Sequence, residues 1–190
     1  ALDALVSEGL LERMPGRGTF VARRKQRPDT VASYSEEMRR RGFMPESLTL
    51  LARVEQAGPG VARALEISAG DPVIHWKRLR RADQQLVCVE DAFLNEVLLP
   101  GFLQGGMPTS LYDALDARGL RPQWAEDSIA ADGASTEEAE LLELHTGAPV
   151  LRHSRRATAL GKAIEVSRSV YRPDRFTIYH QVGAQQSAER

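Results

Sequence analysis

Leu2, Leu5, Val6 and Leu10 recur at helical spacing, and Gly9 stands where a helix would stop. Two short β-type runs follow, at 10–13 and 19–22, around the turn Met14-Pro15-Gly16-Arg17-Gly18, which predicts a hairpin. Residues 23–29 are polar, basic and broken by Pro28, and read as a linker. From Thr30 the period changes repeatedly. The pattern predicts a helix over 31–41 closed by Gly42, a strand at 47–57 and a short helix at 60–66. Strands at 72–82 and 86–94 flank the polar turn Asp83-Gln84-Gln85. A helix over 110–118 closed by Gly119 and a strand over 121–133 come next. Ser135 and Glu138 form a capping-box pattern that opens a helix to 144. Strands at 149–159 and 162–173 pair across Leu160-Gly161-Lys162, and a last strand spans 176–182. Strands in hairpins, separated by helices, define an α+β domain with a mostly antiparallel sheet.

The chain also resembles itself. A shift of 77 residues lays Ala62, Leu65, Glu66, Gly70, Pro72, Val73, Arg78 and Ala82 on Ala139, Leu142, Glu143, Gly147, Pro149, Val150, Arg155 and Ala159. Each copy reads as a short helix, a Gly-x-Pro turn and a strand entering a hairpin. Two copies are too few for a solenoid. They predict one pseudo-symmetric domain with a pocket between its halves.

Composition narrows the function. The 190 residues are 42% hydrophobic and carry a net charge of −1, enough to bury a core and not a nucleic-acid-binding balance overall. One cysteine, Cys88, excludes an intrachain disulfide and a Cys-rich zinc site and suits a reducing cytoplasm. No apolar run of spanning length and no signal peptide is seen. Ala1 opens a helical pattern without a starting Met, so the expectation is a fragment lacking its N-terminal part. His75, His145, His153 and His180 show no metal-ligand spacing, and no metal or cofactor is expected. Trp76 and Trp124 are read as core, Cys88 as a small buried hydrophobe, and Asp174 with Arg172 or Arg175 as a turn-stabilising pair.

Two places carry candidate chemistry. Between residues 12 and 27 stand six basic residues, Arg13, Arg17, Arg23, Arg24, Lys25 and Arg27, against one acid, with Gly16-Arg17-Gly18 at the hairpin tip. A phosphate backbone or minor groove suits such a tip, and so does plain solvent. In the strand at 72–82, alternation puts Arg78 and Arg80 on one face beside Ile74 and Trp76, with Glu90 on the neighbouring strand. Two arginines on one face form a fork suited to phosphate or carboxylate; an exposed cross-strand charge cluster is the other reading. In the later hairpin Ala163, Glu165, Ser167, Ser169 and Tyr171 share one face, and Ile164, Val166 and Val170 the core-like other. The first set suits a ligand wall, although Glu165 could instead pair with Arg155 and Tyr171 could be a half-buried sheet residue.

The opening residues, with Glu8-Gly9-Leu10-Leu11, Arg13 and Gly16-Arg17-Gly18-Thr19-Phe20-Val21-Ala22, resemble the end of the recognition helix and the wing of GntR-type winged-helix regulators. Ser33-Tyr34-Ser35-Glu36-Glu37-Met38, Arg41-Gly42, Arg78-Leu79-Arg80, Val89-Glu90-Asp91, Ser110-Leu111-Tyr112 and Ile164-Glu165-Val166-Ser167, leading to 171–176, are similar to the effector domain of the HutC branch, called UTRA. The resemblance covers essentially the whole chain. It implies a chorismate-lyase-like fold, a homodimer and the sensing of small metabolites, often sugar phosphates. It implies that 1–22 is the C-terminal part of a winged helix-turn-helix, 23–29 a linker, 30–185 the UTRA domain and 186–190 a tail. It places Arg13, Arg17, Gly18 and Thr19 on operator DNA, with Arg17 at the wing tip, though a fragment of a winged helix binds operator poorly. It places Tyr34, Ser35, Arg78, Arg80, Glu90, Ser110, Glu165 and Tyr171 in the effector site, with Tyr34 and Ser35 at a helix N-terminus that favours an anion. A phosphorylated amino sugar such as N-acetylglucosamine 6-phosphate suits both the arginines and the acids. A carboxylate such as urocanate, the ligand of other members, would leave the acids fewer hydroxyl partners. The resemblance implies a repressor. The alternatives are a chorismate-lyase-like enzyme, against which no nucleophile–base pair or metal set is found, and a stand-alone binding module.

Overall fold

The computed structural model describes residues 31–178 in full and the backbone of 11–14 and 18–21. The chain divides into two units, Ala1–Thr30 and Val31–Arg190. In the first, β1 (Leu11–Met14) pairs antiparallel with β2 (Gly18–Val21). This is the hairpin that the two β-type runs predict, with Arg13 opposite Thr19 and Met14 opposite Gly18. The helix expected in the first ten residues, Arg17 and the linker at 23–29 lie outside the described residues.

The second unit is built on one six-stranded sheet in the order β3-β4-β5-β8-β7-β6, antiparallel throughout. Its elements are α1 (Tyr34–Arg40), β3 (Pro45–Gln56), α2 (Pro59–Leu65), β4 (Pro72–Ala82), β5 (Gln85–Asn95), α3 (Leu111–Asp116), β6 (Trp124–Gly133), α4 (Thr136–Leu142), β7 (Pro149–Ala159) and β8 (Lys162–Tyr171). A single 3-10 turn over Glu96–Leu98, which the hydrophobic pattern does not signal, follows β5 and leads Leu99 and Phe102 into the core.

The 77-residue repeat governs this unit down to single hydrogen bonds. Helices α2 and α4, strands β4 and β7 and the left-handed C-caps Glu66 and Glu143 (φ 58° and 55°) each stand 77 residues apart. The hydrogen bonds Ala57 N→Asp71 O and Gly70 N→Ala57 O recur as Ala134 N→Ala148 O and Gly147 N→Ala134 O. Both hairpins turn through two residues of positive φ, Asp83-Gln84 and Leu160-Gly161, the geometry that matches strand twist. Each hairpin also carries a register shift, leaving Val87 in one and Ile164 in the other as the extra residue. The two half-sheets join at β5–β8, where the repeat maps the pair Asp91–Arg168 onto itself.

One face of the sheet packs Ile74, Trp76, Leu94 and Ile164 against Leu99, Phe102, Leu111, Tyr112 and Leu115. The other packs Leu79, Val89 and Val170 against Ala139 and Leu142 of α4, and Val73, Phe93 and Val166 against Ala62 and Leu65 of α2. The bulge corrects one expectation. Strict alternation puts Ala163 with Glu165 and Ile164 with Val166; the extra residue reverses this pair, so Ile164 joins the Trp76 cluster and Ala163 the α2 cluster. Trp76 is buried as expected, but Trp124 is 51% exposed, because it opens an edge strand with no partner on its outer side. Residues 176–178 form no strand, and the rest of the strand predicted at 176–182 lies outside the described residues. No described helix is long and apolar enough to cross a membrane.

Candidate functional site

Alternation along β4 delivers Arg78 and Arg80 to the same face as Trp76, and the β4–β5 register sets Glu90 directly opposite Arg78. Glu90 bridges the two cations. Arg78 Nη2 donates to its Oε1 at 2.8 Å and Arg80 Nε to its Oε2 at 2.9 Å. Arg78 stacks over the Trp76 ring at 3.8 Å and Arg80 over Tyr34 at 4.7 Å. These are not surface charges: Arg78 is 0% exposed, Arg80 3% and Glu90 7%, which rules out the exposed charge cluster.

Two buried cations share one buried carboxylate here, and the donors outnumber the acceptors. Among the described residues, Arg78 Nε and Nη1 and Arg80 Nη1 have no hydrogen-bond partner, and neither have the Tyr34 hydroxyl and Glu165 Oε2. A buried polar group left unpaired costs roughly 1–3 kcal/mol, more if charged. Unspent donors on two fixed guanidiniums can hydrogen-bond an anion.

These groups line an inner cavity of about 40 Å3, enclosed by Tyr34, Arg78, Arg80 and Glu90 with Glu165 and Tyr171 of β8. That is room for a few waters or one small tetrahedral anion. Ser33, Tyr34, His153, Arg155 and Tyr171 also line an outer cleft of about 540 Å3, which runs on to Asp127, Glu37 and Phe176. The pocket expected between the halves is thus present: β4 and β5 give one wall and β7 and β8 the other.

The electrostatics follow from burial. Burial pushes Glu90 upward, but the guanidiniums of Arg78 and Arg80 outweigh it and hold the carboxyl at about 2. Loss of solvent brings Arg78 down to about 10 despite Glu90. Glu165 is raised above the usual carboxylate range, first by burial and then by the charge of Glu90, with Arg155 and Arg78 pulling the other way. Burial likewise raises the Tyr34, Tyr112 and Tyr171 phenols, which stay protonated donors.

Six of the eight effector residues expected from the sequence meet in this cavity: Tyr34, Arg78, Arg80, Glu90, Glu165 and Tyr171. Ser35 and Ser110 do not reach its lining. Ser35 is buried within α1, whose N-cap is Ser33, held in a capping box with Glu36. Ser110 is the N-cap of α3, accepting from Asp113 N at 3.3 Å. Arg13, Gly18 and Thr19 stand in β1 and β2, and Arg17 is outside the described residues. Ser167 and Ser169, on the face read as a ligand wall, line the cavity too, and the lining residues missed are Ser33, Leu111, Tyr112, His153 and Arg155. Arg155 had a signal, since the repeat sets it 77 residues from Arg78. It does not pair with Glu165. It grips Asp127 through Nε and Nη2, both at 2.7 Å, and Nη1 donates to Ala32 O at 2.8 Å.

A duplicated antiparallel sheet enclosing a buried, cation-rich cavity is the build of a small-ligand-binding domain. Residues 40–177 match the UTRA domain. The chain is 33% identical over 185 residues to the HTH-type transcriptional repressor NagR of Bacillus subtilis, spanning 95% of this chain and 76% of NagR. It is 29% identical over 173 residues to the histidine utilization repressor of Pseudomonas aeruginosa, spanning 90% of this chain and 69% of that protein. The crystal structure of PhnF from Mycobacterium smegmatis, 28% identical, covers 97% of this chain and 83% of its own with a TM-score of 0.75. The chain belongs to the UTRA-domain transcriptional regulators of the GntR family, in the HutC branch.

Proposed function

We propose that the inner cavity is the effector site and takes the anionic group of a small metabolite, a sugar phosphate before a plain carboxylate. The observation that carries this reading is the set of unpartnered buried N–H groups on Arg78 and Arg80. The acid at Glu165 and the phenols of Tyr34 and Tyr171 offer hydroxyl and amide partners to the rest of the molecule in the adjoining cleft. A carboxylate such as urocanate would use the arginines and leave the acids fewer hydroxyl partners. The names of the relatives, all transcription regulators, support regulation rather than turnover.

Binding becomes regulation only if the ligand favours one state over another. Arg155 is the coupling residue in this reading. It lines the cavity and also holds Ala32 O, close in sequence to the linker at 23–29. In this reading the full-length protein is a homodimer, and Arg13, Arg17, Gly18 and Thr19 meet the operator through the wing.

Calorimetric titration tests the proposal. The panel is N-acetylglucosamine 6-phosphate, N-acetylglucosamine, inorganic phosphate and urocanate. The phosphorylated sugar is expected to bind at least about 100-fold more tightly than the neutral sugar, a difference of about 2.7 kcal/mol. Arg80→Lys, which keeps the charge and loses the fork, is expected to lose most of that advantage. Tighter binding of urocanate, or indifference to Arg80→Lys, overturns the sugar-phosphate reading.

A further inference from the structure

The repeat exposes a difference between the halves on the sheet face opposite the arginine cavity. Beside α4 the surface is filled: Lys77 of β4 bonds Glu137 of α4, and Leu79 is buried in the core. Seventy-seven residues away, Ser154 stands for Lys77, Gly60 for Glu137 and Arg156 for Leu79. Small side chains replace a lysine–glutamate pair. The result is a groove of about 510 Å3 beside α2, within the usual size range of ligand sites. Its apolar lining includes Pro59, Val61, Ala64, Phe93 and Val166.

The charges at the groove are unequal in their engagement. Arg156 is occupied, its Nε donating to Ala64 O at 2.8 Å and its Nη2 to Glu66. Glu126, the acid of the lining, lies across the strand from Arg156. Arg168 is exposed and makes no hydrogen bond or ion pair among the described residues. Its cross-strand neighbour Asp91 engages His75 at 2.7 Å and Lys77 at 3.9 Å instead. An apolar trough therefore carries an uncommitted guanidinium.

We infer that this groove is a second binding site, for a small amphipathic carboxylate. Its apolar body lies on Phe93 and Val166, and its carboxylate meets Arg168. The site lies on the opposite face of the sheet from the effector cavity, with Arg155 and Ser167 the lining residues common to both, and stands whether or not that cavity takes a sugar phosphate.

Octanoate is the probe, titrated against the whole chain by amide NMR, with acetate and octanol as partial mimics. Arg168→Glu reverses the headgroup contact at an exposed position. Gly60→Glu with Ser154→Lys transplants the plug of the other half; a Cβ at Gly60 meets nothing within 4 Å, so the added side chain has room. Octanoate is expected to bind with a dissociation constant below about 1 mM, shifting the amides of Val61, Phe93 and Arg168. Acetate, octanol, Arg168→Glu and the double variant are each expected to weaken binding at least tenfold, while Arg80→Lys leaves it unchanged. Binding that ignores Arg168→Glu, or shifts confined to the arginine cavity, overturns the proposal. So does a change of sedimentation state in the double variant without loss of octanoate binding, which would make the groove a contact between copies of this chain.

Discussion

Glu90 is the residue on which the site's stability turns. It is the carboxylate that bonds two cations from which water is excluded. Removing one partner of a buried ion pair leaves an uncompensated charge and costs about 3–5 kcal/mol. Glu90→Gln is therefore expected to lower stability by that amount in urea unfolding, with millimolar phosphate restoring part of it. The sign with pH is fixed by the depressed carboxyl. Its contribution is complete above the ordinary glutamate value of 4.5 and drains away as pH falls toward about 2. Glu165 has the opposite sign. Its raised carboxyl costs stability as pH rises above the ordinary glutamate value of 4.5, a cost complete once pH passes its folded value, so Glu165→Gln is expected to stabilise the ligand-free protein at neutral pH. That gain should vanish below pH 4.5 in pH-resolved thermal melts. Alternation made the common face of Arg78 and Arg80 legible in the sequence, but not its burial. The cover comes from Tyr34 of α1, over which Arg80 stacks, and from Leu111 and Tyr112 of α3, elements distant from β4 in the sequence. Ser110 shows the limit of a motif: its hydroxyl caps a helix and turns from the cavity.

Elements were legible wherever local chemistry and tertiary need agree. Ser135 and Glu138 cap α4 as their spacing predicts, and Ser135→Ala is expected to cost about 1 kcal/mol in chemical denaturation. The β7–β8 turn is less well served. Leu160 holds φ 51° with its side chain 66% exposed, a conformation that asparagine or glycine adopts far more readily. Leu160→Asn is expected to raise stability by about 1 kcal/mol, measured by the same denaturation. The bulges at Val87 and Ile164 were not legible. A strand of period two shows no mark of an extra residue until its partner is known, so the face of Ala163 and Ile164 was reversed. Trp124 misled for a related reason: β6 is an edge strand, a fact of sheet order that composition does not carry.

At the scale of the molecule, the repeat supplies the architecture and its departures supply the chemistry. Equivalent positions keep the turns, left-handed C-caps and bulges, while Arg80 corresponds to Ala157 in the other copy and Glu90 to Ser167. One half thus brings the arginine fork and its carboxylate, and the other brings Arg155, Glu165 and small polar residues. The buried Trp76 beneath Arg78 gives this arrangement an optical reporter. In a Trp124→Phe background, an anion at the fork is expected to change the remaining indole fluorescence saturably, and Arg80→Lys is expected to weaken that response. The central claim, that the buried fork receives the anion, is tested most directly by NMR of arginine side-chain Nε–H groups. Arg78 Nε–H, unpartnered without ligand, is assigned through Arg78→Lys. On addition of N-acetylglucosamine 6-phosphate or inorganic phosphate its resonance is expected to move downfield and gain protection from exchange. If it stays in place while the ligand binds and other resonances move, the anion sits elsewhere and the fork is structural.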